Sequence, residues 1–266
     1  MFDSIAGDYD ALNHILSLDV DKIWRKKALK QIVDAPAPVQ VLDLACGTGD
    51  FSIAIAKALS RSHKRVGTPN EAHVKAPAKA PVEAQVTSTG FVTGDSGRSD
   101  LMTKGHVTGV DLSEGMLAVM REKVGKAGLT EMISIEEGDG ENLRFPDNTF
   151  DRVTIAFGIR NFENREKGLR EMLRVLKPGG RLVILELSRP ENKIIRWFYD
   201  LYFLHILPKV GGKVSGDKAA YAYLPTSVAA FPGKKTFMAT MREAGFRTVT
   251  HKAFTLGICR MYTGEK

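Results

Sequence analysis

An open, doubly wound α/β sheet, mostly parallel and closed by an antiparallel hairpin at its C-terminal end, is the fold class this sequence predicts. Three observations predict it. Residues 39–59 run without a gap from a short apolar, β-rich segment through a turn carrying Gly47 and Gly49 into an amphipathic helical segment, SIAIAKAL, the first βα unit of a nucleotide-binding sheet. From there to Leu187, strand-length apolar runs alternate with segments of helical period, the pattern of parallel strands joined by helices. Residues 247–254 and 257–263 then read as two adjacent strands. At 266 residues, 43% hydrophobic and 26% charged, the chain fits one domain over 1–266 with an ample core.

In chain order, residues 1–35 hold Ile15, Leu16, Leu18, Ile23, Trp24 and Leu29 at spacings of short amphipathic helices, the later one with Asp21 as a possible cap. Tyr9, between Asp8 and Asp10, is either a solvated turn residue or part of a cover over the site. Val41, Leu42 and Leu44 form a buried parallel strand, and the glycine turn leads into a helix at 52–59. Residues 61–105, rich in Ala, Pro, Ser, Thr, Gly and Lys with Phe91 as their one aromatic, read as a flexible insertion. Spacing agrees: an acid is expected about 20 residues after such a glycine loop, and Asp111 meets that spacing once 61–105 is set aside.

Residues 106–111 are strand 2, and Ser113 caps the following helix. Residues 133–137 are strand 3, followed by Gly138-Asp139-Gly140. A turn at 145–148 leads to strand 4 at 150–156, and Phe157-Gly158-Ile159-Arg160-Asn161-Phe162 leaves its carboxyl end. Ligands of open α/β sheets bind outside those carboxyl ends, which places Arg160 and Asn161 over the site. Residues 165–177 space Leu169, Met172, Leu173 and Leu176 on one helical face and stop at Pro178-Gly179-Gly180. Strand 5 is 181–187. The run 194–207, IIRWFYDLYFLHIL, is either core or a greasy lid over a substrate pocket; 234–244 is the last helix, ended by Gly245.

Charge decides the ligand of the glycine turn. A dinucleotide site wants a third small residue and a helix N-terminus for its pyrophosphate. Here Asp43 and Asp50 flank the turn and Ser52 holds the third position. Two carboxylates suit a ligand with an α-amino group and a sulfonium and no phosphate, which describes S-adenosylmethionine (SAM). Asp43, Gly47, Thr48 and Gly49 then form the loop, Asp111 meets the ribose hydroxyls, and a carboxylate at 138–140 accepts from the adenine amino group.

The net charge of +7 suits nucleic acid, an anionic membrane surface or an acidic substrate equally. Nucleic acid is disfavoured, because single-strand readers interleave aromatics with Lys or Arg and the aromatics here sit among Ile and Leu. Cys46 and Cys259 form no disulfide framework and lack metal-ligand spacing. Without a signal segment or an apolar run near ~20 residues, the expected location is cytoplasmic, peripheral at the inner face of a membrane.

FDSIAGDYDALNHILS, VLDLACGTGDF, GVDLSEGML, FGIRNF, RVLKPGGRLVILELSRP and FPGKKTFMATMREAGF together resemble the quinone C-methyltransferases of menaquinone and ubiquinone biosynthesis, class I SAM-dependent methyltransferases. The likeness covers the chain outside 61–105. FGIRN and the N-terminal box are its specific parts, and LNHILSL is more similar to the demethylmenaquinone enzymes. The resemblance implies a Rossmann-like methyltransferase sheet with N-terminal helices and a helical lid after strand 5. It also implies that Thr48, Asp111, Asp139 and Gly140 contact SAM and that Arg160 and Asn161 serve a polyprenylated naphthoquinol, with 2-methoxy-6-polyprenyl-1,4-benzoquinol as the alternative substrate. The different-class alternative is a non-catalytic SAM- or RNA-binding protein. Two features depart from the family. The chain starts at its first box without the usual short preface, the pattern of a truncated gene start, and Ala156 stands where ubiquinone members carry serine.

Methyl transfer to a ring carbon beside a hydroxyl asks the protein for alignment, a proton acceptor and a stabiliser of phenolate charge. Arg160 can hold the oxyanion and Asn161 can donate to it or accept from the hydroxyl. The base is left open between Tyr9, a water relayed through Arg160, and His14 or His205.

Overall fold

A computed structural model describes residues 19–34, 39–66, 105–202 and 218–266. Tyr9, His14, Phe203, His205 and Lys209 lie outside the described residues. Within them, seven strands form one sheet in the order β3-β2-β1-β4-β5-β7-β6. Strand β1 (Gln40–Leu44) sits at its centre, pairing in parallel with β2 (His106–Asp111) on one side and β4 (Phe150–Ala156) on the other. Strand β3 (Ile133–Glu137) extends the parallel set beyond β2, and β5 (Leu176–Leu187) extends it beyond β4. Strand β7 (Cys259–Glu265) runs antiparallel to both β5 and β6 (Arg247–Phe254), closing the sheet with the hairpin that the sequence predicts.

Alternation along each strand divides the apolar residues between two cores. Val41, Val107, Val183 and Leu185 face Ile55, Leu59, Leu117 and Met120, which lie on α2 (Asp50–Val66) and α3 (Glu114–Lys126), together with Trp24, Ala28 and Ile32 of α1 (Val20–Ile32). Leu42, Leu44, Val153 and Ile155 face Leu169 and Met172 of α4 (Arg165–Val175) and, further on, Phe237 and Met241. Period two therefore puts Asp43 on the α1–α2 side with Val41. Helix α1 is tied across to the far end of the chain, where Trp24 Nε1 donates to Thr255 Oγ1 at 2.9 Å.

Several boundaries differ from the sequence expectation. Helix α2 runs to Val66, past the expected start of the insertion at 61; residues 67–104 lie outside the described residues. Asp21 does not cap α1: the N-cap position is Asp19, and Asp21 is buried in the first turn against Arg25 at 2.8 Å. Strand β5 begins at Leu176, because the Pro178–Gly180 stretch is held to the chain terminus instead of breaking away. Gly179 N–H donates to Lys266 O, Lys266 N–H donates to Gly180 O, and the pairing with β4 shifts register between Phe150 and Arg152 to absorb the extra residues. Ser113 caps α3 as expected, its Oγ accepting from Met116 N–H at 3.2 Å.

After β5 come α5 (Lys193–Leu201), α6 (Lys218–Ala230) and α7 (Lys234–Glu243). Asn192 starts α5 by accepting from the N–H groups of Ile194 and Ile195. Helix α6, which the sequence reading passed over, packs on the 3-10 turn Ile159–Asn161 that follows β4.

Candidate active site

Strand β1 ends at Leu44, and the turn that follows brings Gly47 to the carboxyl edge of the sheet. Gly47 has φ +56°, the left-handed region open to glycine at little cost. Its N–H donates to Asp111 Oδ2 at 2.8 Å, so the glycine turn and the end of β2 are joined by one charge-assisted bond. The other oxygen, Oδ1, accepts from Ser113 N–H at 2.9 Å. Two backbone donors thus fix the Asp111 carboxylate at the mouth of a cavity of about 470 Å³, within the usual range for small-ligand sites.

That cavity is lined by residues from four strand ends: Ala45 and Gly47 after β1, Asp111 to Ser113 after β2, Gly138 to Glu141 after β3, and Ala156 to Gly158 with Asn161 to Glu163 after β4. Its lining contains the carboxylates Asp111, Asp139, Glu141 and Glu163 and no lysine or arginine. Leu112, 68% exposed, adds an apolar surface beside Asp111. A cavity of this sign repels phosphate and suits a ligand carrying an ammonium and a sulfonium, so the residues present fit SAM.

The carboxylates that supply this sign are not the ones the glycine turn suggests. Asp43 is 1% exposed and lies between β1 and α2, accepting from Ser52 Oγ at 2.6 Å. Burial pushes its carboxyl up to about 7, against the lowering effects of the Ser52 bond and of Arg25. Asp50 is ion-paired with Lys123 and sits 3.6 Å from Arg25, so its charge is met inside the protein. Thr48, also buried, accepts from Lys123 Nζ at 3.3 Å. Asp43, Asp50, Thr48 and Gly49 are absent from the cavity lining. At Gly49, with φ +83°, a Cβ would run into the Met120 side chain; this glycine lets α3 close on the loop. Gly140 lines the cavity, and its hydrogen makes room for Phe162, whose Cζ would lie 2.6 Å from an added Cβ. Asp139 also lines it, with Oδ1 accepting from Glu141 N–H at 2.8 Å.

After β4 the chain turns through Phe157, at φ +62°, into the 3-10 turn that holds Arg160 and Asn161. The sequence reading gives both side chains to the substrate; the structure separates them. Arg160 points inward to Glu186 on β5: its Nη1 donates to Glu186 Oε1 at 2.8 Å and its backbone N–H to Glu186 Oε2 at 3.1 Å. The two side chains are 7% and 0% exposed. Nη1 also donates to the Phe157 carbonyl, and Arg165 holds the Arg160 carbonyl at 2.9 Å. A guanidinium so engaged clamps the turn instead of reaching an oxyanion in the cavity, and Arg160 is absent from the lining. Asn161 lines the cavity, and its Oδ1 accepts from Tyr223 Oη on α6 at 2.9 Å.

Of the residues singled out from sequence, Gly47, Asp111, Asp139, Gly140 and Asn161 converge on the cavity, and Tyr9 lies outside the described residues. Glu186 and Tyr223 were missed. Glu186 carried a readable signal, a carboxylate within the otherwise apolar run LVILEL; Tyr223 carried none, since nothing local links it to a turn 62 residues earlier.

A sequence model described as the ubiE/COQ5 methyltransferase family matches residues 1–266. The chain is 39% identical over its whole length to a demethylmenaquinone methyltransferase of Bacteroides fragilis, covering 91% of that protein. It is 42% identical, again over its whole length, to a ubiquinone/menaquinone biosynthesis C-methyltransferase UbiE of Geobacter sulfurreducens, covering 87% of it. Among solved structures, a SAM-dependent methyltransferase from Aquifex aeolicus superposes with a TM-score of 0.53 at 19% identity, over 90% of this chain and 88% of that one. A Haemonchus contortus phosphoethanolamine N-methyltransferase 2 in complex with SAM gives 0.55 at 14% identity, over 91% of this chain and 52% of the other. At these identities the two structures speak for the fold, that of class I SAM-dependent methyltransferases.

Proposed function

The chain belongs to the ubiE/COQ5 methyltransferase family and is a SAM-dependent C-methyltransferase of quinone biosynthesis, and from that premise we propose how its residues act on a polyprenylated demethylmenaquinol. The acidic cavity at the carboxyl ends of β1 to β4 carries the reading. When bound there, SAM supplies a methyl group already activated by its sulfonium. Asp111, fixed by Gly47 and Ser113, accepts from the ribose hydroxyls, and Asp139 accepts from the adenine amino group. Asn161, on the turn after β4, donates its amide N–H to the quinol oxygen on which negative charge develops as the neighbouring carbon becomes nucleophilic. Arg160 and Glu186 keep that turn in place, so that Asn161 is aligned at the near-attack distance the transfer demands.

The test is a competition assay with methyl-labelled SAM and an equimolar pair of demethylmenaquinol and 2-methoxy-6-polyprenyl-1,4-benzoquinol. Label in menaquinol supports the reading. Label in the benzoquinol product alone would move the chain to the ubiquinone reaction, for which relatives are also named. Label in neither would leave the substrate reading without support.

A long-tailed quinol resides in the bilayer, and no helix among the described residues is long and apolar enough to cross a membrane. Access is therefore proposed from the membrane surface, through α5. Ile194, Trp197, Phe198 and Leu201 follow i, i+3, i+4, i+7 spacing and are 70%, 61%, 60% and 39% exposed, while Tyr199 faces inward. An amphipathic face with Trp and Phe favours the headgroup interface, and a net charge of +7 favours anionic lipid. Tyr202 continues the helix end. Arg196 donates to the Pro190 and Glu191 carbonyls.

A further inference from the structure

Helix α6 brings the Tyr223 hydroxyl to the reaction side of the sheet. Tyr223 is half-buried, and its hydroxyl donates to Asn161 Oδ1 at 2.9 Å. The 3-10 turn under it is already fixed along its backbone: Asn161 N–H donates to Gly158 O, Arg160 N–H to Glu186, and Arg165 holds the Arg160 carbonyl. What those bonds leave undetermined is the orientation of the Asn161 amide. The terminal torsion of asparagine is broad and roughly two-fold, so its oxygen and nitrogen can exchange places at little steric cost. The exchange reverses the chemistry, since one end accepts and the other donates. A substrate oxygen acquiring negative charge is stabilised by a donor and repelled by a carbonyl.

We propose that Tyr223 is a positioning residue for the methyl transfer: by donating to Asn161 Oδ1 it keeps the amide nitrogen as the end that meets the substrate oxygen. The inference rests on the reading of Asn161 as the group that touches the quinol. It assigns a role in the reaction to α6, a helix whose other features are those of packing and coverage.

Three variants, Tyr223→Phe, Asn161→Ala and the double, test it by steady-state kinetics on a water-dispersed short-tailed demethylmenaquinol, with SAM affinity by calorimetry. Asn161→Ala is expected to lose about 100-fold in kcat, the usual effect of removing one oxyanion donor. Tyr223→Phe, which keeps the ring, is expected to lose about tenfold, the scale of one hydrogen bond, with SAM affinity and the quinol KM unchanged. The double variant should match Asn161→Ala alone, since the hydroxyl acts only through the amide. A donor to the phenolate also lowers the apparent pKa of the bound quinol, so the acid limb of kcat should move to higher pH in both single variants, further in Asn161→Ala. If Asn161→Ala is impaired while Tyr223→Phe keeps wild-type kcat and acid limb, or if the two losses simply multiply, the role of Tyr223 is overturned and that of Asn161 stands. Lost SAM affinity in Tyr223→Phe would also overturn it, because the hydroxyl would then support the fold and not the reaction. Full activity in Asn161→Ala would remove the reading on which both rest.

Discussion

Asp43 and Asp111 lie near the carboxyl ends of neighbouring strands of the same sheet, yet one is sealed between β1 and α2 and the other faces the cavity. The carboxyl of Asp43 is raised from its ordinary 3.8 to about 7, first by desolvation. A raised acid holds its proton in the folded chain over a window where the unfolded chain has lost it. Its contribution to stability therefore falls as pH rises from about 4 to about 7 and is constant on either side. Asp43→Asn keeps the shape and the acceptor for Ser52 and has no proton to lose. Urea unfolding without SAM should show the variant gaining on the wild type through that window, by on the order of 4 kcal/mol at pH 8; a gap independent of pH would mean the wild-type carboxyl is not desolvated as its burial implies. Asp111→Ala should lower stability, because the N–H groups of Gly47 and Ser113 lose their acceptor, and should weaken SAM binding by about 1–3 kcal/mol in calorimetry, the cost of leaving a ligand hydroxyl without an acceptor. The place of Asp111 at the cavity was legible in sequence because an acid ending strand 2 is a local pattern. That Asp43 is buried was not, because it depends on which face of β1 meets α1 and α2.

At the scale of elements, the 3-10 turn and the helices around it decide what the site can do. Glu186→Ala would strand a buried guanidinium, and removing one partner of such a pair costs about 3–5 kcal/mol. Since the turn carries Asn161, thermal stability and kcat should fall together, a coupling that tells this clamp apart from a contact made only in the reaction. On α5 the exposed Trp197 and Phe198 meet edge to face at 4.9 Å, and Trp197→Ser with Phe198→Ser should cut flotation with anionic liposomes and activity on long-tailed quinol while sparing SAM affinity. Wild-type protein that stays at the bottom of the gradient at low salt would end the interfacial reading of this helix. The sequence pattern marked α5 as an apolar run and left open which side it shows; only packing reveals that Tyr199 turns in and its neighbours turn out. Helix α6 was illegible for another reason: Pro225, a residue that argues against a helix, lies inside it, and its apolar residues follow no clear helical stripe, so nothing marked it before its contact with the 3-10 turn was visible.

Across the whole molecule, chain direction separates the site from the two ends of the long connection between α2 and β2. In a parallel sheet every strand enters at one edge and leaves at the other, and ligands gather where strands leave. The cavity is built from residues that follow β1, β2, β3 and β4. Residues 67–104 join the end of α2 to the start of β2, the entry edge. The mostly parallel sheet and its ligand edge could be read from the alternation of apolar runs and from the glycine turn, since both are consequences of local periodicity. The ion pairs that neutralise Asp50 and engage Arg160 could not, because they join positions far apart in the chain. Both ends of the long connection are anchored: His106 N–H donates to Val39 O at 3.0 Å, β1 and β2 pair along their length, and Ile55, Leu59 and Val107 are buried in the core. Loop length adds only slowly to closure entropy, about 0.6 kcal/mol per doubling, so a short Gly-Ser bridge replacing 67–104 has little to lose and some entropy to regain. The shortened protein is expected to bind SAM with wild-type affinity, to methylate demethylmenaquinol at the wild-type rate, and to melt within a few degrees of the full chain. Loss of SAM binding in that protein would show that the segment reaches round to the exit edge and packs on the site, while a large fall in melting temperature with binding intact would show that it belongs to the α2–β2 core.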